Sequence, residues 1–422
     1  MTGKLALSQA VILCGGLGTR LRHLTVSRPK PMVMVNDRPF LHHLLEQLAH
    51  QGITKFILLV GYLGDNILNH FGDGSQYGWS INYSVGPSEW DTGRRVWEAR
   101  AQLDDQFLLL YSDNFVQFNL TKLVRLHEQF NTPISLLLSP KLKGNIKVSE
   151  DGLIQAYDKT RNGFGFDFVE VGYMIVKRDY LLKEFPQYSN FPDFSFSEVL
   201  KKLAQQQRIA GLVVTDAYHS ISDPERLALM CEYLRPKKIL LIDRDGTLNA
   251  KAPKGEYVTN WNQFKWVLET REALIKLSAV GFKFIVITNQ AGIARKMIDP
   301  DALENIHHEM ITNLAGVGVD VLKVYMCPDH WDDNSLMRKP APGMFFQAAK
   351  EFNLRMDRCL YVGDDERDCL AAANAGCGMV YITGEDKPPT MEHFPNPFFM
   401  STTLLDAVDH IRDLYHDWES RV

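Results

Sequence analysis

The sequence predicts an α/β protein made of two doubly wound domains, and three observations carry the prediction. Short apolar runs alternate with amphipathic stretches of helical period. The apolar runs end in glycine or aspartate, as strands feeding a helix-covered parallel sheet do. The alternation stops at Arg235-Pro236-Lys237-Lys238 and then restarts, which places the domains at 1–235 and 236–422. A length of 422 residues, with 45% hydrophobic and 23% charged residues, fits two or three ordinary packed domains.

Element by element, Val11–Leu13, Phe56–Val60 and Phe107–Tyr111 read as buried strands. Between the first two, Phe40, Leu41, Leu44, Leu45 and Leu48 share one helical face, and Gly52 stops that helix. Ile134–Leu138, Phe168–Val176 and Leu212–Thr215 are further strands, and Pro224–Leu234 is a helix. The second cycle begins with strand Ile239–Ile242. It continues with helix Thr270–Val280, strand Phe284–Thr288, helix Pro300–Leu314 and strand Val321–Met326. Helix Pro342–Phe352, strand Cys359–Val362, helix Arg367–Ala375 and strand Met379–Ile382 complete it, and a last helix near Thr403–Tyr415 packs on the second domain. The junction is too short for the two domains to roam.

Composition narrows the function. A net charge of −5 disfavours a nucleic-acid binder working by bulk charge. No apolar run reaches the ~18 residues of a membrane span. The opening MTGKLALSQAVILCGG reads as a first strand rather than a cleavable leader, and six scattered cysteines without a CxxC pair read as reduced thiols. A cytoplasmic enzyme is expected.

The first chemical motif is Cys14-Gly15-Gly16-Leu17-Gly18-Thr19-Arg20-Leu21-Arg22, directly after a strand. Glycines there let backbone N–H groups close on a phosphate chain. Leu21 takes the place of the last glycine of GxGxxG, and no Gly-Lys-Ser/Thr follows, which argues against a dinucleotide fold and a P-loop kinase. Arg20, Arg22, Arg28 and Lys30 lie within eleven residues, stiffened by Pro29 and Pro31, an arrangement suited to a triphosphate and its departing pyrophosphate. GGLGTRLR followed by RPKPMV resembles the sugar-1-phosphate nucleotidyltransferases over roughly residues 10–227, and VGYLGDNILNHFGDGSQYGWSINYS is most similar to the branch making GDP-heptose from heptose 1-phosphate.

The resemblance implies a Rossmann-like domain with a mixed sheet. It implies nucleotide binding by Gly15, Gly16, Gly18, Thr19 and Gly93, with Arg20 and Lys30 handling phosphates. Asp113 matches the family's Mg²⁺ aspartate, and Lys159, Glu170 and Gly172 match its sugar-phosphate contacts. There are two departures. The family's LGTGGA-like loop reads Trp90-Asp91-Thr92-Gly93-Arg94-Arg95, putting two large cations in place of small residues. Its second metal aspartate is Ser220 here, which leaves Asp223 or Asp216 to compensate or the transfer weakened.

The second motif is Ile239–Ile242 followed by Asp243-Arg244-Asp245-Gly246-Thr247. Two carboxylates two residues apart allow one to attack phosphorus and the other to protonate the leaving alkoxide. The anionic partners call for counter-charge, and Thr288-Asn289-Gln290, Arg338-Lys339-Pro340 and Gly363-Asp364-Asp365 follow in order. LIDRDGT, VITNQAGIAR and RKPAPGM resemble the haloacid-dehalogenase-type phosphatases, in particular the heptose-1,7-bisphosphate 7-phosphatase and histidinol-phosphatase branch. The resemblance makes Asp243 the nucleophile and Asp245 the acid/base. Thr288 and Lys339 bind the phosphoryl group, Asn289 and Arg338 face the substrate, and Asp243, Asp245 (through its carbonyl) and Asp364 hold Mg²⁺. Asp368 reads either as a support of the metal shell or as a helix-start carboxylate. The branch's structural zinc loop is depleted: Asp329, Ser335 and Met337 stand at three ligand positions, so Cys327 reads as a buried thiol, His330 as a loop residue, and no structural zinc is expected. His42-His43 and His307-His308 read as surface or interhelix residues, and Phe185, Tyr188, Phe191, Phe194 and Phe196 as a packed lid or interface.

Together the resemblances imply a bifunctional, Mg²⁺-dependent enzyme. It would dephosphorylate heptose 1,7-bisphosphate at O7 and transfer a nucleotidyl group from an NTP, GTP favoured, to heptose 1-phosphate. Its partners are then nucleotides and sugar phosphates rather than nucleic acid or membrane, with self-association left open. The alternatives are a phosphatase carrying a degenerate, binding-only transferase domain, a hexose-1-phosphate transferase fused to a sugar phosphatase, and a sensor with neither activity.

Overall fold

The computed structural model describes residues 7–141, 143–160, 165–187, 193–214, 218–253, 255–383 and 395–420. The chain divides into two compact units, Met1–Glu232 and Tyr233–Val422, so Tyr233–Arg235 group with the second unit.

The first unit is built on a mixed sheet of nine strands among the described residues: β1 Gln9–Cys14, β2 Lys55–Val60, β3 Ser80–Val85, β4 Gln106–Tyr111, β5 Ile134–Pro140, β6 Ile146–Val148, β7 Ile154–Tyr157, β8 Phe168–Lys177 and β9 Ile209–Val213. The path runs β7-β6-β8-β4-β1-β2-β3, with β5 also on β8 and β9 on β5. Strands β4, β1, β2 and β3 are mutually parallel, and β8 runs antiparallel to β4. Its helices include α1 Phe40–His50, α2 Gly64–Phe71, α3 Thr92–Glu98, α4 Leu120–Phe130, α5 Phe196–Gln205 and α6 Pro224–Leu234. One core joins Val11, Ile57, Phe107 and Met174 of the sheet to Leu200 and Leu203 of α5.

The second unit has a six-stranded parallel sheet: β10 Ile239–Ile242, β11 Lys283–Asn289, β12 Val321–Cys327, β13 Leu360–Gly363, β14 Gly378–Ile382 and β15 Phe398–Ser401, ordered β12-β11-β10-β13-β14-β15. Its helices are α7 Leu268–Ser278, α8 Pro300–Ala315, α9 Gly343–Phe352, α10 Glu366–Ala375 and α11 Leu404–Ser420. Residues alternate across the strands. Leu240, Ile242 and Val286 face α7, α8 and α11, while Leu241, Ile285 and Tyr361 face α9 and α10. A sheet buried on both faces reads as unbroken apolar runs, which is why its strands were legible. The edge strand β15, half exposed, was not anticipated.

Both sheets reverse strand order beside their first strand, between β4 and β1 in one unit and between β10 and β13 in the other. Chains leaving neighbouring strands there part to opposite faces and open a crevice at the carboxyl ends. Each chemical motif sits at such a point. No helix among the described residues is long and apolar enough to cross a membrane.

Candidate active sites

In the first unit the glycine loop leaves β1 and Asp113 follows β4, on the two sides of the crevice. They border a cavity of about 330 Å³ lined by Gly15, Gly16, Gly18, Thr19, Arg20 and Lys30, with Trp90, Thr92 and Ser222 around it. The glycines serve different ends. A Cβ on Gly15 would lie 2.2 Å from Cζ of Arg95, and one on Gly18, at φ +64°, would lie 2.9 Å from Cβ of Lys30. Gly16 has open space, so its backbone stays approachable. Lys30 Nζ donates to Asp113 Oδ2 at 2.7 Å, bringing the basic segment and the carboxylate together.

Arg94 and Arg95 are not two loose cations over the cavity. Arg95 is buried, and its guanidinium donates to the carbonyls of Val60 (3.0 Å), Gly15 (3.2 Å), Pro87 (2.7 Å) and Trp90 (3.0 Å). It ties the glycine loop to the end of β2 and to the 87–90 loop. Arg94 pairs with Glu98 at 2.6 Å and lies over the Trp90 ring. Gly93 packs beneath Phe194, where a Cβ would lie 2.4 Å from the ring, and its N–H donates to Phe194 O. Gly172, at φ +81°, sits under Tyr111 at the register shift of β8, and Glu170 accepts from Tyr157 Oη at 3.3 Å. Lys159 is exposed in the turn after β7.

Ser220 lies beside Asp113. It pairs with Asn114 beside Asp113, and Ile221 N–H donates to Asp113 O. Its buried hydroxyl is held by Arg226 Nη1 (3.2 Å) and Ser222 Oγ (3.2 Å). Asp223 Oδ1 caps α6 through Arg226 N–H at 2.9 Å, and that bond holds its carboxyl below the usual range. Asp216 lies outside the described residues.

In the second unit Asp243 and Asp245 follow β10, Thr288 ends β11, and Asp364 follows β13, with Lys339 converging from the loop before α9. Lys339 is buried and its ammonium donates to Asp243 Oδ1 (2.7 Å), Asp368 Oδ1 (2.8 Å), Tyr361 Oη (2.7 Å) and Ile287 O (3.1 Å). Burial pushes the Asp243 carboxyl up to about 7, against the pull of Lys339. Burial also disfavours the Lys339 charge, but Asp243 and Asp368 outweigh it and hold the lysine protonated. Asp243, Asp364 and Asp368 bring carboxylate oxygens within 4.8 Å of one another, a hard-oxygen set suited to a divalent cation. Asp368 Oδ2 closes a capping box at the start of α10, the helix-start reading, and its Oδ1 accepts from Lys339.

Asp245 is gripped by Arg244 through Nη2 (2.9 and 2.8 Å) and Nε (3.2 Å), by Asn249 Nδ2 (3.0 Å) and by Gln290 Nε2 (2.8 Å). Burial raises its pKa, yet the Arg244 charge and these bonds prevail and hold it below the usual range. Arg244 is 1% exposed and its Nη1 meets His307 Nε2 at 3.0 Å. His307 therefore backs the hold on Asp245, which the reading of His307-His308 as surface or interhelix residues missed. The available signal was an arginine lodged between two strand-end aspartates, which needs buried acceptors. Asn289 spans the Lys339 backbone, donating to its O and accepting from its N–H at 3.0 Å each, and Arg338 donates to Asp329 O at 3.2 Å.

A family described as "Nucleotidyl transferase" matches residues 9–161, and one described as "Polynucleotide kinase 3 phosphatase" matches residues 238–375. The chain is 33% identical over 184 residues to the D-glycero-beta-D-manno-heptose-1,7-bisphosphate 7-phosphatase of Pasteurella multocida, covering 42% of this chain and 98% of that one. The chain belongs to this phosphatase family. The first unit is 29% identical over 220 residues to the D-glycero-alpha-D-manno-heptose 1-phosphate guanylyltransferase of Campylobacter jejuni, covering 51% of this chain and 96% of that one. A crystal structure of the D,D-heptose 1,7-bisphosphate phosphatase of B. bronchiseptica, complexed with magnesium and phosphate, is similar at 27% identity and TM-score 0.38 over 42% of this chain and 98% of that one. The protein is thus a nucleotidyltransferase joined to a phosphatase.

In the phosphatase unit the 327–337 loop is held by hydrogen bonds. Buried Cys327 donates to Asp329 Oδ2 at 3.4 Å, Ser335 Oγ accepts Met337 N–H at 3.2 Å, and His330 forms a capping box with Asp333. Metal analysis of purified protein should find no stoichiometric zinc, and a zinc-selective chelator should leave its Tm unchanged. One zinc per chain would refute this. In the transferase unit His42 and His43 are buried rather than on the surface, and Phe185, Phe194 and Phe196 are core. Tyr188 and Phe191 lie outside the described residues.

Proposed function

We propose that the phosphatase unit removes the O7 phosphate of a heptose 1,7-bisphosphate and that the transferase unit joins the resulting heptose 1-phosphate to a nucleoside monophosphate, with GTP as donor, Mg²⁺ in both units and the cytoplasm as the compartment. One observation carries this reading: one chain aligns with nearly the full length of two enzymes whose named substrates are consecutive, since loss of the O7 phosphate turns a 1,7-bisphosphate into a 1-phosphate. The phosphatase cavity, about 530 Å³, supports a substrate with a second phosphate, because Lys251, Arg295, Arg338 and Arg367 line it beyond Asp243.

The residues divide the work as follows. Asp243 attacks phosphorus, oriented by Lys339, whose charge opposes the burial that favours the neutral carboxyl. Thr288, buried at the end of β11, presents its hydroxyl to the phosphoryl oxygens. Asp245 protonates the departing O7: substrate phosphate placed beside it raises the pKa that Arg244 and Gln290 hold down, making it a donor when needed. Asp243 and Asp364 would hold the Mg²⁺, which when bound offsets phosphoryl charge. In the transferase unit Arg20 and Lys30 balance the triphosphate, and Asp113 is the carboxylate available to metal beside the neutral Ser220.

The anomer follows from the chemistry. Hydrolysis at O7 leaves C1 untouched, so a phosphatase feeding an α-1-phosphate transferase must accept the α-bisphosphate, although the Pasteurella relative is named for the β form. Full-length protein given Mg²⁺, GTP and either anomer, with phosphate and pyrophosphate followed separately, should release both from the α-bisphosphate, phosphate first. Pyrophosphate from the β form alone would overturn the order proposed. Phosphate without pyrophosphate, from any NTP, would establish the binding-only transferase reading, which the Ser220–Arg226 bond favours.

Replacing Ser220 tests the same site. Ser220→Asp should lower the Mg²⁺ needed for half-maximal pyrophosphate release roughly five-fold, equivalent to about 1 kcal/mol. The gain should grow when Arg226→Ala removes the neighbouring guanidinium that would otherwise claim the new carboxylate. An unchanged Mg²⁺ requirement in both variants would show that Ser220 does not stand at a metal position.

A further inference from the structure

Lys339 has more partners than it can serve. An ammonium carries three N–H donors, and this one stands within hydrogen-bond distance of four acceptors among the described residues: Asp243 Oδ1 (2.7 Å), Asp368 Oδ1 (2.8 Å), Tyr361 Oη (2.7 Å) and Ile287 O (3.1 Å). In the proposed dephosphorylation it must also present an N–H to the phosphoryl oxygens. That N–H has to be given up by one of the partners already in place.

Tyr361 is built to make up the difference. It lies on β13 opposite Leu241 of β10, two residues before Asp243, and its ring meets Phe345 edge-on at 4.9 Å. Its hydroxyl accepts from Lys339, and its own proton reaches two of the acceptors that Lys339 serves, Ile287 O at 3.1 Å and Asp368 Oδ1 at 3.2 Å. Burial, with the nearby Asp243 and Asp368 charges, pushes the phenol well above its usual range, so that proton stays on the oxygen. Asp243, Thr288, Lys339 and Asp368 line the phosphatase cavity, whereas Tyr361 is fully buried and does not.

The geometry points to Tyr361 as a positioning residue of the phosphatase: by donating to Asp368 Oδ1 or Ile287 O in the lysine's stead, it frees one N–H of Lys339 for the phosphoryl group while Asp243 keeps another. This role rests on the reading of the unit as a phosphatase with Asp243 as nucleophile. No bond is broken and no proton changes owner, because the hydroxyl only turns between two acceptors. A buried carboxylate oxygen left without its donor is costly, and the hydroxyl removes that cost from the turn of the lysine.

Tyr361→Phe removes the hydroxyl and keeps the ring. Assayed as the full chain with Mg²⁺, it should lose roughly tenfold or more in kcat for phosphate release, from heptose 1,7-bisphosphate and from p-nitrophenyl phosphate alike. KM for the bisphosphate should stay within about threefold of wild type, because Lys251, Arg295, Arg338 and Arg367 still line the cavity. Tyr361→Met, a flexible filler without a hydroxyl, should show the same split if the phenylalanine variant does not fold. Incorporating 3-fluorotyrosine at position 361 keeps the hydroxyl and should hold kcat within about threefold of wild type. A hydroxyl with a structural role alone would lower Tm and leave kcat per folded molecule unchanged, and that result overturns the proposal. An equal loss of kcat in the 3-fluorotyrosine protein overturns it too. Wild type that cleaves p-nitrophenyl phosphate but no heptose bisphosphate faults the substrate reading instead, and the p-nitrophenyl phosphate comparison still decides the role of Tyr361. Wild type inert on both overturns both.

Discussion

Asp243→Asn should abolish phosphate release, by on the order of 10⁴-fold or more in kcat, or about 5.4 kcal/mol of barrier, while the protein stays folded. The amide keeps the shape of the carboxylate but lacks the lone-pair charge that forms the phosphoryl bond. The fold should survive because Lys339 keeps Asp368 as its counter-ion at 2.8 Å, and the amide oxygen can still accept from the ammonium. Burial already presses Asp243 towards its neutral form, so a neutral isostere relieves a desolvation cost. Pyrophosphate release from GTP and heptose 1-phosphate should be unchanged, since Asp243 belongs to the other unit. Retention of more than a few per cent of phosphatase activity, in protein with an unaltered melting profile, would remove Asp243 from the role of nucleophile.

Lys339→Met should behave in the opposite way, losing both activity and stability. It leaves Asp243 and Asp368, both buried, facing each other without a counter-charge, and it strips a donor from Tyr361 Oη and Ile287 O. Removing one partner of a buried pair costs about 3–5 kcal/mol. For a unit of this size that is a fall in Tm of roughly 8–16 °C. Adding Asp368→Asn to Lys339→Met should restore part of the Tm and none of the activity, because it removes one uncompensated charge without replacing the ammonium at the phosphoryl site. A Lys339→Met protein melting with wild type would show that the ammonium is not the counter-charge of this cluster. Calorimetry of the full chain measures both variants.

Much of the architecture was legible because local chemistry dictated it. Strands buried on both faces must be continuous apolar runs, and glycine or aspartate at their ends marks where the chain turns into a helix. That was enough to read two α/β units, and the order of Asp243, Thr288, Lys339 and Asp364 along the chain placed each after a strand or in a loop at the same sheet end. Strands of the antiparallel half were harder. β6 and β7 are three and four residues long, too short for a periodic signal. In the parallel sheet of the second unit, β15 is half exposed. The helices α2 and α3 are eight and seven residues long and were missed for the same reason.

What the sequence alone determined is the chemistry on offer: a glycine loop with cations, two strand-end carboxylates, a lysine, and a loop depleted of zinc ligands. These depend on residue types at short spacings, and spacing along a chain survives folding. Tertiary structure decided what each group is bonded to, at separations that run from 3 residues (Asp223 to Arg226) to 80 (Gly15 to Arg95). It turned Arg95 from a cation in a sugar loop into a buried tie among four carbonyls. It committed Asp223 to a helix cap and Asn289 to the Lys339 backbone, and it enlisted His307 behind Arg244. It also parted Arg28 from Lys30, two residues apart in sequence but lining different cavities. The physical reason is common to all of these: a buried polar group must find a partner, and only the packed chain decides which partner is within hydrogen-bond reach.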